Sequence, residues 1–373
     1  MGVLRKLVYT RTIKATKSPP VRLYNTMTSS QTNIRVKLVF RSEEGPECVW
    51  ANQCPGNLPV WGRCEFTSDP FSRDYDWFVA IDDVPRILPG NKEILACPRE
   101  NTLLVTSEPS SVTRYGRAFS AQFSKLLTNQ EATILPHPNA IRSQTGNLWF
   151  YGRTYDEIKQ APPIAKTRLI STVCSAKQQA HTMHARRYNF TQAMKQEIPE
   201  LEIFGHGVRF VEKKADAIDP YQFHLVVENH IARHVWTEKL ADTFLGYAVP
   251  IYCGCPNVFD YFPEDSIVPI DINDFEGSLK KIKRILSTEG EYERRLDAVQ
   301  EARRRVMNEY NLPAMLDHII SEAAVPQSNE GGTIYNRQIM RVKHPADFVR
   351  FAAWRTKNLL QKLASYFKHS DKN

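Results

Sequence analysis

The segment from Phe223 to Gly254 restricts the fold more than any other part of this chain. It opens with an apolar run of strand length and reaches the polar pair Glu228-Asn229. After a short loop, Thr237-Glu238-Lys239 opens a helix, and Val249-Pro250-Ile251-Tyr252 supplies a second apolar strand. Strand, polar loop, helix and strand make a βαβ unit. Such a unit requires a parallel sheet, and it places ligands at strand carboxyl ends and phosphates at helix N-termini.

The same alternation runs through the rest of the C-terminal half. Arg168–Cys174, Leu201–Phe204 and Ile267–Ile270 read as strands, and residues 184–197, 276–287 and 290–309 as helices. The pattern predicts an α/β domain whose parallel sheet is covered on both faces. In the N-terminal half, Ile34–Phe40 alternates as a strand does, and Trp77–Ile81 and Thr102–Thr106 read as buried strands. Tyr115–Leu127 has helical spacing. A chain of 373 residues is expected to divide into two domains. The paired prolines in Gln160–Lys166 mark the best linker. The predicted organisation is a disordered basic tail over 1–33, an N-terminal domain over 34–160, a C-terminal domain over 161–325, and a loop with a basic amphipathic helix over 326–373. Residues 324–336 read as loop.

The net charge of +8 is unevenly spread. Residues 1–40 hold eight Lys/Arg and no Asp/Glu, and residues 337–373 are at +7, which leaves 41–336 at −7. An acidic body argues against nucleic-acid binding, which needs a basic face. The basic ends suit solvent or an anionic membrane surface. Apolar positions at Phe348, Phe351, Ala352, Leu359, Leu360, Leu363 and Phe367, interleaved with Arg and Lys, predict an amphipathic C-terminal helix. A membrane surface, the protein's own body or a partner helix are its three candidate contacts. No run is long and apolar enough to span a bilayer, and the N-terminus lacks the apolar core of a secretory signal. The expected location is cytoplasmic or peripheral to a membrane, with an organellar transit peptide as the second reading of the N-terminus. Seven cysteines without metal-ligand spacing read as free thiols, leaving one N-terminal-domain disulfide open.

Thr237 is a good N-cap, and Lys239 stands in the first helical turn, where the helix dipole disfavours a cation. The arrangement makes sense if the helix start and the ammonium converge on an anion such as a diphosphate, with Glu238 accepting from ribose hydroxyls. Asp82-Asp83, which follows a strand, reads as a solvated loop or helix cap rather than a metal pair. His230 and His234 have ligand spacing, but they fall in a loop with no third ligand nearby.

The stretch Phe223–Gly254 resembles the signature of the family 10 glycosyltransferases, the α-1,3-fucosyltransferase family. The resemblance rests on Glu228-Asn229, Glu238-Lys239 at the family's spacing, Ala248-Val249-Pro250 and Gly254, followed by Pro256–Pro263 and Ile270-Asp271…Asp274-Phe275. It covers about 165–280 well. It implies a GT-B architecture, two Rossmann-like domains facing a central cleft, and inverting transfer of L-fucose from GDP-β-L-fucose to an acceptor glycan, without a divalent metal. It further implies Glu238 at the ribose, Lys239 at the phosphates, Glu228 and Asn229 beside the fucose, and a diphosphate-binding arginine. Arg187 fits that arginine best, with Arg186 second. The general base implied is Glu108, in Leu103–Pro109. The family's tyrosine three residues before the Glu of Glu-Lys is Val235 here, with the neighbouring Trp236 as its candidate substitute. Two alternatives stay open: a GT-B transferase for another nucleotide sugar, and a catalytically silent glycan-binding relative.

Overall fold

The computed structural model describes residues 33–41, 50–161, 165–175, 183–324, 326 and 331–370. The expected basic N-terminal tail, Cys48 and the paired prolines of the linker lie outside them.

The first sheet is built from β1 (Ile34–Phe40), β2 (Val60–Trp61), β3 (Cys64–Thr67), β4 (Trp77–Ile81), β6 (Thr102–Thr106), β7 (Lys125–Thr128) and β8 (Ala140–Arg142); β5 (Lys92–Ile94) stands apart from it. The strand order is β2-β3-β1-β4-β6-β7-β8, parallel except for the β2–β3 hairpin. β4 and β6 are buried along their whole length, as continuous apolar runs in a parallel sheet require. Two short helices belong to this lobe, α1 (Arg117–Ser120) and α2 (Tyr155–Gln160).

The second sheet contains β9 (Arg168–Val173), β10 (Leu201–Phe204), β11 (Tyr221–Val227), β12 (Val249–Cys253) and β13 (Val268–Pro269), all parallel, in the order β10-β9-β11-β12-β13. Its helices are α3 (Met183–Glu197), α4 (Lys214–Ile218), α5 (Glu238–Leu245), α6 (Phe275–Ser287), α7 (Glu291–Asn308) and α8 (Leu312–Ser321). The two expected sheets of mainly parallel strands are therefore present.

One hydrophobic core runs through both lobes. Val36, Val79 and Leu103 of the first sheet belong to the same buried cluster as Leu225, Ile251, Val306 and Leu316 of the second lobe. α8 returns to the first lobe, where its Asp317 accepts from the backbone N–H of Arg63 at 2.8 Å. The β2–β3 turn needs Gly62 for this contact. Its φ is +54°, and a Cβ there would sit 2.2 Å from the Asp317 carboxylate.

Two elements depart from the sequence reading. Tyr115–Leu127 is a single turn of helix followed by strand β7, because Leu126 and Leu127 are drawn into register beside Leu104 and Val105 of β6. The phenylalanines that mimic a helical repeat, Phe119 and Phe123, pack instead on Phe78 and Leu126 in a second buried cluster. The segment 324–336 contains a strand, β14 (Thr333–Tyr335), antiparallel to β5. After it, α9 (Arg337–Lys343) and α10 (Pro345–Ser370) pack together. Met340 and Ile334 close the outer face of the first sheet. Of the three candidate contacts of the C-terminal helix, its first turns rest on the protein's own body: Asp347 accepts from the N–H of Ala118 at 2.7 Å. No helix among the described residues is long and apolar enough to cross a membrane. The six described cysteines are buried free thiols.

Ile334 is fully buried under this return. Ile334→Ala should lower unfolding stability by about 2–5 kcal/mol through cavity formation. Urea denaturation reads it, with an unchanged midpoint showing that the return strand is not part of the cooperative core.

Candidate active site

The carboxyl edge of the second sheet carries a cavity of about 160 Å³. It lies where strand order reverses, between β9, whose chain goes on to β10 on one side, and β11 on the other. Ligands bind at such switch points in open α/β sheets. Thr172–Ser175 at the end of β9, Val227 at the end of β11, Arg187 from α3, Lys214 from α4, and Glu238, Lys239 and Asp242 from α5 line it.

The loop between β11 and α5 is tied from beneath. Glu228 is 0% exposed. One carboxylate oxygen accepts the Thr237 backbone N–H at 2.8 Å, and the other accepts the Thr237 hydroxyl at 2.7 Å. Lys239 Nζ lies 3.7 Å from the same carboxylate. Gly254 makes room for this packing, since a Cβ there would fall 2.5 Å from Glu228 Cγ and 2.3 Å from the Tyr252 hydroxyl. The Glu-Asn and terminal Gly of the motif thus meet in space, on adjacent strand ends. Glu228, expected beside the sugar, is placed under the loop with both oxygens engaged inside the protein.

Thr237 caps α5 as its sequence predicts, with the hydroxyl 3.4 Å from the Lys239 N–H. The Lys239 ammonium donates to Glu238 at 2.8 Å and to Thr237 Oγ1 at 3.1 Å. Burial works to lower the Lys239 pKa, but the carboxylates of Glu228 and Glu238 outweigh it and hold the group above its ordinary value, charged. Burial likewise works against ionised Glu238, yet Lys239 and Lys214 keep its pKa below normal.

Arg187 is the cation left uncompensated. It is only 7% exposed. Its Nη1 donates to Asn229 Oδ1 at 3.0 Å, and its Nε is buried without a partner. No carboxylate pairs with it among the described residues. A buried guanidinium held only by a neutral amide suits an anionic ligand, because leaving such a donor unpaired is unfavourable. Arg186, the second choice, turns away and donates to Asn273. Lys214 was missed by the sequence reading. It pairs with the buried Asp242 at 2.9 Å on the cavity wall, and Asp242 also accepts from the Phe150 N–H at 3.2 Å. Asp242 stands one helical turn after Glu238 on α5, but Lys214 is far from both in sequence, so no local signal marked it.

Glu108 lies beyond the carboxyl end of β6. Its loop is fixed by Asp82, a non-glycine residue with φ +67°, which accepts from the Ser107 N–H at 2.7 Å, from the Ser107 hydroxyl at 2.5 Å and from the Tyr115 hydroxyl. Glu108 donates its N–H to Tyr115 at 3.1 Å, and its carbonyl accepts from Gln130 Nε2 at 2.9 Å. The side chain itself is exposed and makes no hydrogen bond. Its crowded setting, then the Asp82 charge, raise its pKa, against a smaller pull from Arg41. The same loop reaches the other lobe, where Ser111 Oγ lies 3.3 Å from His230 Nδ1. The base candidate and the Glu228–Thr237 loop are thus joined across the lobes.

Asp82-Asp83 is a structural junction. Asp83 pairs with Arg337 at 2.9 Å, so the two aspartates tie the Glu108 loop and the C-terminal return to one strand end. His230 and His234 are in the loop, as expected, and no group of three or more His, Cys, Asp or Glu among the described residues has metal-binding geometry. Trp236 is not a cleft residue: it is 2% exposed, packed edge-on against Tyr261, Phe262 and Tyr310. Val235 is also buried, so neither replaces the family tyrosine at a sugar.

Residues 163–298 match the model of the C-terminal domain of glycosyltransferase family 10 (fucosyltransferase). Among solved structures, the chain is similar to an alpha1,3-fucosyltransferase at 14% identity, covering 78% of this chain and 94% of that one, with a TM-score of 0.47. A structure of an alpha1,3-fucosyltransferase with GDP-fucose is 14% identical, with 90% of this chain and 93% of that one covered and a TM-score of 0.45. A GtfA/B complex is 10% identical over 66% of this chain and 57% of that one, at 0.40. The domain that bears the switch-point cavity is thus similar to the C-terminal domain of the family 10 glycosyltransferases.

Proposed function

We propose that the protein moves L-fucose from GDP-β-L-fucose to a hydroxyl of an acceptor glycan, with inversion, giving an α-fucoside of the α-1,3 type. The observation that carries this reading is Arg187, buried beside Lys239 with an unpartnered Nε, at the carboxyl edge of a family 10 domain. In the reaction, the acceptor oxygen forms a bond to C1 as the bond from C1 to the phosphate oxygen breaks. The electron pair leaves with GDP, whose growing negative charge falls toward Arg187 and Lys239. The acceptor proton passes to Glu108, the same charge logic as an inverting glycosidase. Glu238 is assigned to the ribose hydroxyls and Asn229 to positioning Arg187. Glu228 keeps Thr237 and Lys239 in place from below. Two protein cations supply the charge that a divalent ion would otherwise bring, so the reading requires no metal.

Purified protein should release GDP slowly from GDP-fucose without acceptor, and GDP-fucose should raise its melting temperature. Release from a different nucleotide sugar alone would move the donor assignment. Arg187→Gln should weaken GDP binding by about tenfold or more, as loss of charge-assisted hydrogen bonds implies; equal affinity in a calorimetric titration would remove Arg187 from the phosphate site.

Glu108→Gln should retain donor affinity and lose roughly 10²–10⁴ in transfer rate. A base must be ionised, so kcat/KM should rise with pH through the Glu108 pKa. That acid limb should lie above the ordinary glutamate value, as desolvation and Asp82 require. An acid limb that persists unchanged in Glu108→Gln would assign the base elsewhere.

A further inference from the structure

A second cavity, of about 230 Å³, lies on the first lobe where the C-terminal return meets it. One wall comes from the loop after β6 (Arg114, Tyr115, Gly116, Arg117) and another from the loop after β7 (Gln130 and Thr133–Leu135). Both loops leave the carboxyl edge of the first sheet, the edge that also carries Glu108. The remaining wall is Arg341 of α9 with Arg350, Phe351 and Trp354 of α10.

Four arginines and one aspartate line the cavity, and Glu131 lies within electrostatic reach of Arg114. Asp347 is already engaged, by Arg350 at 2.9 Å and by the Ala118 N–H at 2.7 Å. Arg114 makes no side-chain hydrogen bond or ion pair among the described residues, Arg117 donates only to the Thr133 carbonyl, and Arg341 donates only to the Arg114 carbonyl. Arg341 also lies 3.8 Å from the Phe351 ring centroid. Desolvation, then the neighbouring Arg337, push its pKa down to about 10, against smaller pulls from Asp83 and Asp347.

Two further groups await partners. Gln130 is 1% exposed. Its Nε2 donates to the carbonyls of Glu108 and Thr113, and its Oε1 is buried with no hydrogen-bond donor. Because Nε2 serves two carbonyls, the amide orientation is settled and Oε1 is free to accept a hydroxyl. Trp354 is half-buried on the rim and offers an aromatic face.

We propose that this cavity is an acceptor subsite for an acidic sugar of the glycan, with Arg114, Arg117 and Arg341 taking its carboxylate or sulfate, Gln130 Oε1 taking a ring hydroxyl, and Trp354 stacking on the ring. The combination of guanidinium fork, lone hydroxyl acceptor and aromatic plate matches an anionic carbohydrate better than a simple anion, which has no hydroxyl to give and no ring to stack. The subsite communicates with the base through Gln130 and Tyr115, each of which hydrogen-bonds the Glu108 backbone. The C-terminal return therefore selects acceptors besides covering the sheet. The inference rests on the glycan-transfer reading above and adds the charge class of the acceptor.

The test compares sulfolactose with lactose, using the full chain and GDP-fucose. Direct calorimetric binding of each sugar is measured beside transfer, so the result does not depend on either being turned over. The wild-type protein should bind sulfolactose about tenfold more tightly than lactose, as charge-assisted contacts predict. Arg114→Gln should abolish the preference, Arg114→Lys should restore part of it, and Trp354→Ala should weaken both sugars. Acceptor-free release of GDP should be unchanged in all three variants. Equal binding of the two sugars by the wild-type protein, or a preference that survives Arg114→Gln, overturns the subsite. So does a variant that keeps the sugar preference while losing co-sedimentation with phosphatidylglycerol vesicles, which would make the cavity a lipid headgroup site. Failure to release GDP from GDP-fucose would sink the donor assignment alone, because the binding comparison needs no donor.

Discussion

The site depends on one buried carboxylate. Glu228 sits at the end of β11 with no exposure and holds the first residue of the next helix by both its backbone N–H and its hydroxyl. Burial raises its pKa, and Lys239 and the Thr237 donors work in the opposite direction. A buried acid is tolerable when its lone pairs are satisfied and a cation is close. Both conditions hold, with Lys239 at 3.7 Å. The loop between strand and helix is thereby pinned, and the ammonium is held at the start of α5. Gly254, on the neighbouring strand, exists to let this carboxylate in.

The charges around the cavity are unequal in a useful way. Lys214 is paired with Asp242, and Lys239 with Glu238. Arg187 has only an amide oxygen. The paired groups shape the walls, and the guanidinium has no carboxylate partner among the described residues. Across the lobes, Asp82 fixes the loop of Glu108 through three donors, as Glu228 fixes the start of α5 through two, and the Glu108 carboxylate itself makes no hydrogen bond. The aspartate pair that looked like a solvated loop is thus the bracket for the base candidate.

Much of this was legible in the residues. The apolar run ending in Glu228-Asn229, the Thr237 cap and the Glu238-Lys239 step predict their own strand, loop and helix because each signal is local. Arg187 was singled out through the family resemblance, which implies an arginine just before the first helix of this lobe, and it stands inside that helix, α3. Lys214 and Asp242 were not, since their pairing is made only when α4 and α5 pack. The helical reading of 115–127 failed because apolar residues at helical spacing also suit a turn followed by a buried strand. The loop reading of 324–336 failed because β14 is three residues long and owes its existence to β5, far away in sequence. Trp236 looked like a cleft residue from its position, but its ring is fully taken by an aromatic cluster.

That distant pairing has a consequence for how the polypeptide matures. The Asp83–Arg337 contact joins positions 254 residues apart. At ribosomal speeds of about 5–20 residues per second, the first lobe waits on the order of tens of seconds for its closing strand. Throughout that interval the β5 edge stands open, and the apolar patch later sealed by Ile334 and Met340 faces solvent. Unpaired edges beside bare hydrophobic surface invite wrong association. β5 gains its partner only once the segment carrying β14 has left the exit tunnel.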